Sequence, residues 1–400
     1  MDPRFKNEAL ASSRNVLIVV ACGGLLLYGV LNAFLGAAMP QLRARLGLTP
    51  GQCGLLFSFL YVPQILVVSA IGPFVDSFGT RFAFFLGALL CVGGFAGAGY
   101  ADSYGLLAQA MLLLGAGGSL LSAASNTSLA DLYSSNPGSG LNIGHALFGV
   151  GAVSFPAAVV LTEDRFGLSP AIGVALLVSG CIAVLACGCR FPAHRVGRTY
   201  NWRAAREAIV APAALILSSV VFLTTALAAS VGGWLRLYAE QEFSASGSAS
   251  GWMLALFWGL TMTGRFASSQ VLKFVRGAQL VFWCSVGMLV GSSILTMAPG
   301  KAVAVVGVIV CGLSYGPIYP TTVGAVSRHF HKYFASVFGS LQAAGLTGGM
   351  LLPAAIGWAA KATSLRFAFW LLVAASGLLT VLQALFIEYE QRKARPEREP

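Results

Sequence analysis

The sequence predicts an all-α integral membrane protein of twelve transmembrane helices, arranged as two pseudo-symmetric six-helix bundles. Three observations predict it. The first is composition. Of 400 residues, 57% are hydrophobic and only 10% are charged, where soluble domains carry about 25% charged residues; mean hydropathy is +0.78. The second is the number of apolar runs. A helix that crosses a bilayer needs about 20 predominantly apolar residues. Such runs lie near 15–39, 52–73, 81–101, 104–132, 139–162, 168–190, 208–238, 250–271, 277–297, 301–327, 333–361 and 365–388. The third is an internal repeat. Pro156-Ala157-Ala158 recurs as Pro353-Ala354-Ala355, an offset of 197 residues, and the same offset relates Gly54 to Gly251, Gly115 to Gly312 and Gly151 to Gly348. One offset recurring across several helix pairs marks a duplicated six-helix unit. Parallel repeats of this kind are a known transporter plan, with the site near the midplane where the repeats meet.

The spans follow in order. The first is too long for the apolar core of a signal peptide and reads as a retained helix. The second and third are joined by Gly72–Arg81. The fourth carries Asn126 and ends near Asp131. The fifth is the most unusual: within an apolar stretch it holds Asn142, His145 and Pro156. A titratable group inside a span is expensive and marks a functional or partnered position. The sixth ends at Cys187-x-Cys189. Residues 191–207 then form a basic linker between an N-terminal half (1–190) and a C-terminal half (208–400). The seventh span ends in Gly232-Gly233-Trp234. The eighth carries Trp258, the tenth Tyr315 and Tyr319, and the eleventh Gln342, which the repeat sets against His145. Past the twelfth span, Glu388–Pro400 reads as a frayed, mixed-charge helix end.

Lys and Arg orient the chain. Eighteen fall on the side of the termini and seven on the other, Arg236 among the seven and Arg265 among the eighteen. The richer side is expected to be cytoplasmic. This places the protein in the cell's inner (plasma) membrane, multi-pass, with both termini in the cytoplasm. The net charge of +11 reflects that bias. No aromatic–basic platform or zinc spacing suggests a nucleic-acid partner. The eight cysteines lie mostly in apolar runs without CxxC pairs, and read as small buried hydrophobes. His329-x-His331 sits on the cytoplasmic rim and is not expected to hold a metal. Asn126-Thr127-Ser128 matches a glycosylation sequon, but inside a span it is not expected to be modified. There is no GxxxxGK[ST] or HExxH motif. No enzymatic activity and no cofactor are expected, and the chain is expected to be a monomer in the lipid bilayer.

Gly72-Pro73-Phe74-Val75-Asp76-Ser77-Phe78-Gly79-Thr80-Arg81 is similar to the G-x3-D-x2-G-x-[RK] loop of the major facilitator superfamily. With twelve spans, a basic mid-chain loop and an internal duplication, the resemblance covers nearly the whole chain. It implies that Gly72, Asp76, Gly79 and Arg81 form a conformational switch loop, whose acid engages a helix end and stabilises one state. A helix N-terminus suits a carboxylate. At the corresponding place the second half has Lys273 and Arg276, and no acid.

Within the superfamily, the sequence resembles the fucose–proton symporter group of sugar permeases. Leu141-Asn142-Ile143-Gly144-His145-Ala146-Leu147-Phe148-Gly149-Val150-Gly151-Ala152, Val231-Gly232-Gly233-Trp234-Leu235 with Tyr238, and Gly312-Leu313-Ser314-Tyr315-Gly316-Pro317-Ile318-Tyr319-Pro320-Thr321 resemble that group's patterns on the fifth, seventh and tenth helices. The resemblance implies a sugar-like substrate. It departs where protons would be handled. The group's first-helix acid after an Asn is replaced by Ala33 after Asn32. The Glu expected four residues before Asn126 is Ser122, and Met111 stands near the place of a fourth-helix Arg found elsewhere in the superfamily.

A neutral polyol needs hydrogen-bond donors and acceptors, and a flat apolar surface for its C–H face. The candidate binding residues are Tyr28, Asn32, Gln64, Asn126, Asn142, His145, Trp234, Trp258, Tyr315, Tyr319 and Gln342, a few polar groups among aromatic walls. Each amide also has a packing role open to it, since Asn and Gln bond between helices. Trp234 also fits an interfacial aromatic belt. His145 has three roles open: hydrogen-bonding the substrate, a structural contact with Asp131 or a backbone carbonyl, and proton coupling, for which an ordinary pKa of about 6.5 suits it. The expected function is transport of a small neutral solute, foremost a sugar, by alternating access, as uniport or proton-coupled. The alternatives are an efflux permease for drugs or amphipathic metabolites, and a transport-inactive receptor. With no acid, Arg or Lys expected in the interior, a charged cargo is disfavoured.

Overall fold

A computed structural model of the chain describes residues 3–133, 137–189, 202–330 and 333–394. The elements are helices: α1 (Pro3–Leu46), α2 (Pro50–Tyr100), α3 (Tyr104–Leu132), α4 (Pro137–Phe166), α5 (Ser169–Gly188), α6 (Trp202–Ile209), α7 (Pro212–Phe243), α8 (Gly247–Val271), α9 (Gly277–Met297), α10 (Lys301–His329), α11 (Phe334–Ala362), α12 (Leu365–Ala368) and α13 (Trp370–Ala394). Among the described residues, eleven helical segments are long and apolar enough to cross a membrane, two of them within α2 (Pro50–Ile71 and Ser77–Tyr100). The expected twelfth is α8. It is long enough at 25 residues, but Ser248, Ser250, Thr261, Thr263 and Arg265 make it more polar than the rest.

The chain divides into two compact units, Met1–Thr49 with Leu56–Arg198, and Pro50–Leu55 with Thr199–Pro400. In the first, α1 packs on α3 and α4. Phe34 of α1 is buried between Phe95 and Phe155, with ring centroids 5.5 and 5.6 Å away. In the second, α7 packs on α11, α10 on α8 and α9, and α13 on α9. At one end of that unit, Leu217 and Val221 of α7 meet Val326, Val337, Leu341 and Phe386 in a continuous apolar cluster.

The repeat is visible atom by atom. A Cβ on Gly115 of α3 would fall 2.0 Å from the carbonyl oxygen of Leu60 in α2, and one on Gly312 of α10 would fall 2.9 Å from that of Phe257 in α8. Leu60 and Phe257, like the two glycines, are 197 residues apart. Gly151 of α4 lies equally close to Leu26 of α1 (2.0 Å), and Gly348 of α11 to Phe222 of α7 (2.1 Å). In a bilayer, helices associate through such close backbone approach at small residues. The glycines are therefore spaced by the packing of each half.

Helix ends take up part of the basic charge. Two nitrogens of Arg45 donate to the carbonyls of Ala98 and Gly99 at the end of α2, both at 2.8 Å. Arg14 donates to Leu132 at the end of α3 (3.3 Å). Arg81 donates to Cys187 at the end of α5. Arg366 donates to Thr296 (3.4 Å) and Ala298 at the end of α9. A cation there meets both unsatisfied carbonyls and the negative end of the helix dipole.

Three sequence expectations change. Gly72–Arg81 is not an open loop: α2 runs through it, broken only at Gly79 (φ 80°, ψ 158°). That conformation is open essentially to glycine alone, so the chain turns between two spans on one residue. Gly72 and Asp76 lie outside the residues whose side chains are described. The linker is partly helical, because α6 covers 202–209, while 190–201 lie outside the described residues. The C-terminal tail continues α13 to Ala394, helped by an Arg392–Glu388 pair one turn apart. No disulfide forms among the described cysteines. Cys53, Cys91, Cys189 and Cys311 are buried as expected, but Cys181 and Cys187 are exposed on apolar α5.

Candidate solute-binding site

In the first unit the expected polar residues lie on α1–α4. Tyr28 of α1 donates its phenol to Oε1 of Gln64 on α2 (3.0 Å), and its ring lies 5.7 Å from that of Phe148, three residues past His145 on α4. Gln64 is buried and donates in turn to Leu60 of its own helix (3.2 Å). Asn32 donates to the carbonyl of Tyr28 (2.8 Å). The Tyr28–Gln64 bond ties α1 to α2, while the amide nitrogens of Asn32 and Gln64 are spent on carbonyls of their own helices. Asn126 of α3 differs: its Oδ1 is buried with no hydrogen-bond partner among the described residues, as is the adjacent Ser125 hydroxyl. On α4, Asn142 is exposed and His145 half-buried.

In the second unit, Tyr319 of α10 donates to Oε1 of Gln342 on α11 at 2.5 Å. Trp234 is fully buried and donates through Nε1 to the carbonyl of Pro353 on α11 (3.1 Å). It is therefore neither at an interfacial belt nor free to meet a solute. The glycine two residues before it has a separate reason: a Cβ on Gly232 would fall 2.7 Å from the ring of Trp258. Trp258 is buried, and its Nε1 has no acceptor among the described residues. Its ring stands edge-on to Phe257 (5.3 Å), which stacks on Tyr315 of α10 (6.3 Å).

Two arginines that the sequence sorts only by side of the membrane are drawn into the packing. Arg236, in the seventh span and counted on its non-cytoplasmic side, is 2% exposed. It pairs with Glu240 one turn on (3.1 Å), and Glu240 also accepts from Ser250 of α8 (2.6 Å), tying the α7–α8 corner. Tyr238 completes this corner, bonded to the carbonyl of Leu295 (3.2 Å) and stacked on Phe369 at 3.8 Å. The motif Gly232-Gly233-Trp234 with Tyr238 is thus mainly a packing device. Arg265 was counted with the cytoplasmic ends. A Cβ on Gly316 would fall 2.7 Å from its backbone nitrogen, which sets Arg265 level with the middle of α10. Its Nε is buried without a partner among the described residues. The interior is not free of basic charge.

The model of the Major Facilitator Superfamily matches residues 21–345. The chain belongs to that superfamily. No curated protein matches it in sequence. Among solved structures it is similar to the superfamily transporter FucP in the outward conformation, with TM-score 0.66, 16% identity, and 94% of this chain and 99% of that chain covered. It is similar to a variant of the nucleoside transporter NupG, with TM-score 0.77, 12% identity and the same coverage. A variant of the E. coli fucose:proton symporter FucP gives 0.65 and 16%, again over 94% and 99%. At these identities the likeness is one of fold. The superfamily fold expected from the sequence is the fold found, and the protein is a multi-pass membrane transporter of small solutes by family.

Proposed function

We propose that the protein carries a sugar-like, hydroxyl-rich solute by alternating access. The observation that carries this reading is Trp258 of the second half. Its ring is buried, and its Nε1 has no acceptor among the described residues. Buried polar groups are rarely left so, and a solute hydroxyl supplies the acceptor that the indole lacks. The indole and the Phe257–Tyr315 stack add a flat apolar surface for a sugar's C–H face. Solved neighbours described as fucose and nucleoside transporters support the same class of cargo. Among the other candidates, Tyr28 with Gln64 joins α1 to α2 in the first half, and Tyr319 with Gln342 joins α10 to α11 in the second; His145 and Asn142 of α4 are further proposed solute contacts.

In this reading both termini are cytoplasmic and the membrane is the plasma membrane, as the Lys and Arg bias supports. Asp76 and Arg81 bias one conformation, with Arg81 anchored on the end of α5. The test is equilibrium counterflow in proteoliposomes across radiolabelled mono- and disaccharides, nucleosides and sugar acids. Silence across the panel, with protein that is folded and inserted, ends the sugar reading. Should accumulation depend on a pH gradient, His145→Ala abolishes that dependence while leaving counterflow; unchanged accumulation removes His145 from proton coupling.

A further inference from the structure

We propose that Arg265 is an anion-recognition group within the second half, and that the solute is a sugar acid: a polyhydroxylated molecule with a single carboxylate. The inference rests on the transport reading above and narrows its substrate class.

A guanidinium inside a membrane span is expensive, and the usual compensation is a neighbouring acid. Arg236, a fully buried arginine of this half, follows that rule with Glu240. Arg265 does not. Its Nε has no partner among the described residues, and the acids on the helices of this half, Glu207, Glu240, Glu242, Glu388 and Glu390, all sit at or near helix ends. Arg265 is nevertheless held within the packing, because Gly316 of α10 approaches its backbone to 2.7 Å and that of Thr261 to 2.2 Å from the Cβ position. The residue as a whole is only partly buried, so the rest of its fork stays open to a small anion.

The pattern of unmet groups identifies the ligand's chemistry. Trp258 stands seven residues before Arg265, two turns away on the same face of α8. Its Nε1 is also buried without an acceptor. Indole and guanidinium nitrogens can only donate, so this face asks for acceptors. It also asks for negative charge, because among the described residues of this half Arg265 forms no ion pair. A carboxylate supplies that charge, whereas a phosphate ester brings about −1.5 to −2. Tyr315, within electrostatic reach of Arg265, belongs to the aromatic stack that would receive the sugar's apolar face. The guanidinium fork then sets which end of the solute lies toward α8.

The experiment is counterflow and thermal-shift binding with purified protein, comparing D-glucuronate, D-glucose and D-glucose 6-phosphate in the wild type, R265Q and R265K. The expected result is that glucuronate is preferred over glucose, that R265Q lowers this preference at least about 30-fold, and that R265K restores part of it. A purely structural role for Arg265 would move both sugars together. If glucose is carried while glucuronate is not, or if the preference survives in R265Q, the assignment of Arg265 is wrong and sugar transport stands. If glucose 6-phosphate wins in an Arg265-dependent manner, the monocarboxylate is overturned. If no sugar or sugar acid binds or moves, both readings fall. Should R265Q not fold by size exclusion, the wild-type preference and R265K decide the matter: no preference for glucuronate over glucose refutes the proposal.

Discussion

The phenol of Tyr319 donates to Oε1 of Gln342 at 2.5 Å, joining α10 to α11 in the second half; Tyr28 and Gln64 join α1 to α2 in the first. These two Tyr–Gln pairs are not related by the 197-residue offset, so each half reached the same solution with different helices. A double-mutant cycle of Tyr319→Phe and Gln342→Ala, read by SDS unfolding in mixed micelles, should give a coupling of about 0.6 kcal/mol, and no more than about 1.7. Zero coupling would mean that the two side chains are independent and face the solute separately.

The glycine contacts set an order of sensitivity. Gly115→Ala drives a methyl to 2.0 Å from the Leu60 carbonyl, and Gly312→Ala only to 2.9 Å from that of Phe257. Overpacking costs about 1–3 kcal/mol, and Gly115→Ala should lie at the top of that range and Gly312→Ala at the bottom. Thermal melting in detergent checks the order. Equal losses at the two sites would contradict the packing described.

Two tryptophans should behave oppositely. Trp234→Phe removes the donor to Pro353 and should destabilise by about 1 kcal/mol or more. Trp258→Phe removes an N–H that has no acceptor, so stability should hold while solute affinity falls. If Trp258→Phe instead melts early with unchanged affinity, Trp258 is a packing residue and leaves the site.

Breaking the Arg236–Glu240 pair should be severe from the buried side. Arg236→Leu alone strands Glu240 and should cost about 3 kcal/mol. Arg236→Leu combined with Glu240→Leu should recover much of that loss, as paired replacement of buried charges commonly does. Comparing the two in the same SDS titration decides it; a double variant as unstable as the single one would show that Ser250 and the α8 corner depend on the acid itself.

The fold was legible because a bilayer restricts the options. Apolar runs of span length and glycines at a constant offset carry its plan without any side-chain detail. What stayed hidden was register. Arg265 lies six residues before the end of α8, and linear counting put it with the cytoplasmic charges; only its level against Gly316 shows it enclosed. Counting by side likewise does not show that Arg236, seven residues before the end of α7, is fully buried beside Glu240. Residue type also could not separate Trp234 from Trp258. Both are aromatic residues of apolar spans, and one is satisfied by a carbonyl 119 positions away. The Gly72–Arg81 motif is legible, but a turn made at a single glycine between two helices leaves the same trace in sequence as a longer loop.

Arg45 answers two successive carbonyls with two nitrogens, and this separates two things that a basic residue near a membrane usually confounds. Lysine at this position would keep the charge that insertion machinery counts, and with it the topology. As a point charge on a flexible stem it would lose the planar fork that closes the last turn of α2. The choice of arginine over lysine at Arg14, Arg45, Arg81 and Arg366 therefore records where a helix must stop, while the sum of both residue types records which way it faces.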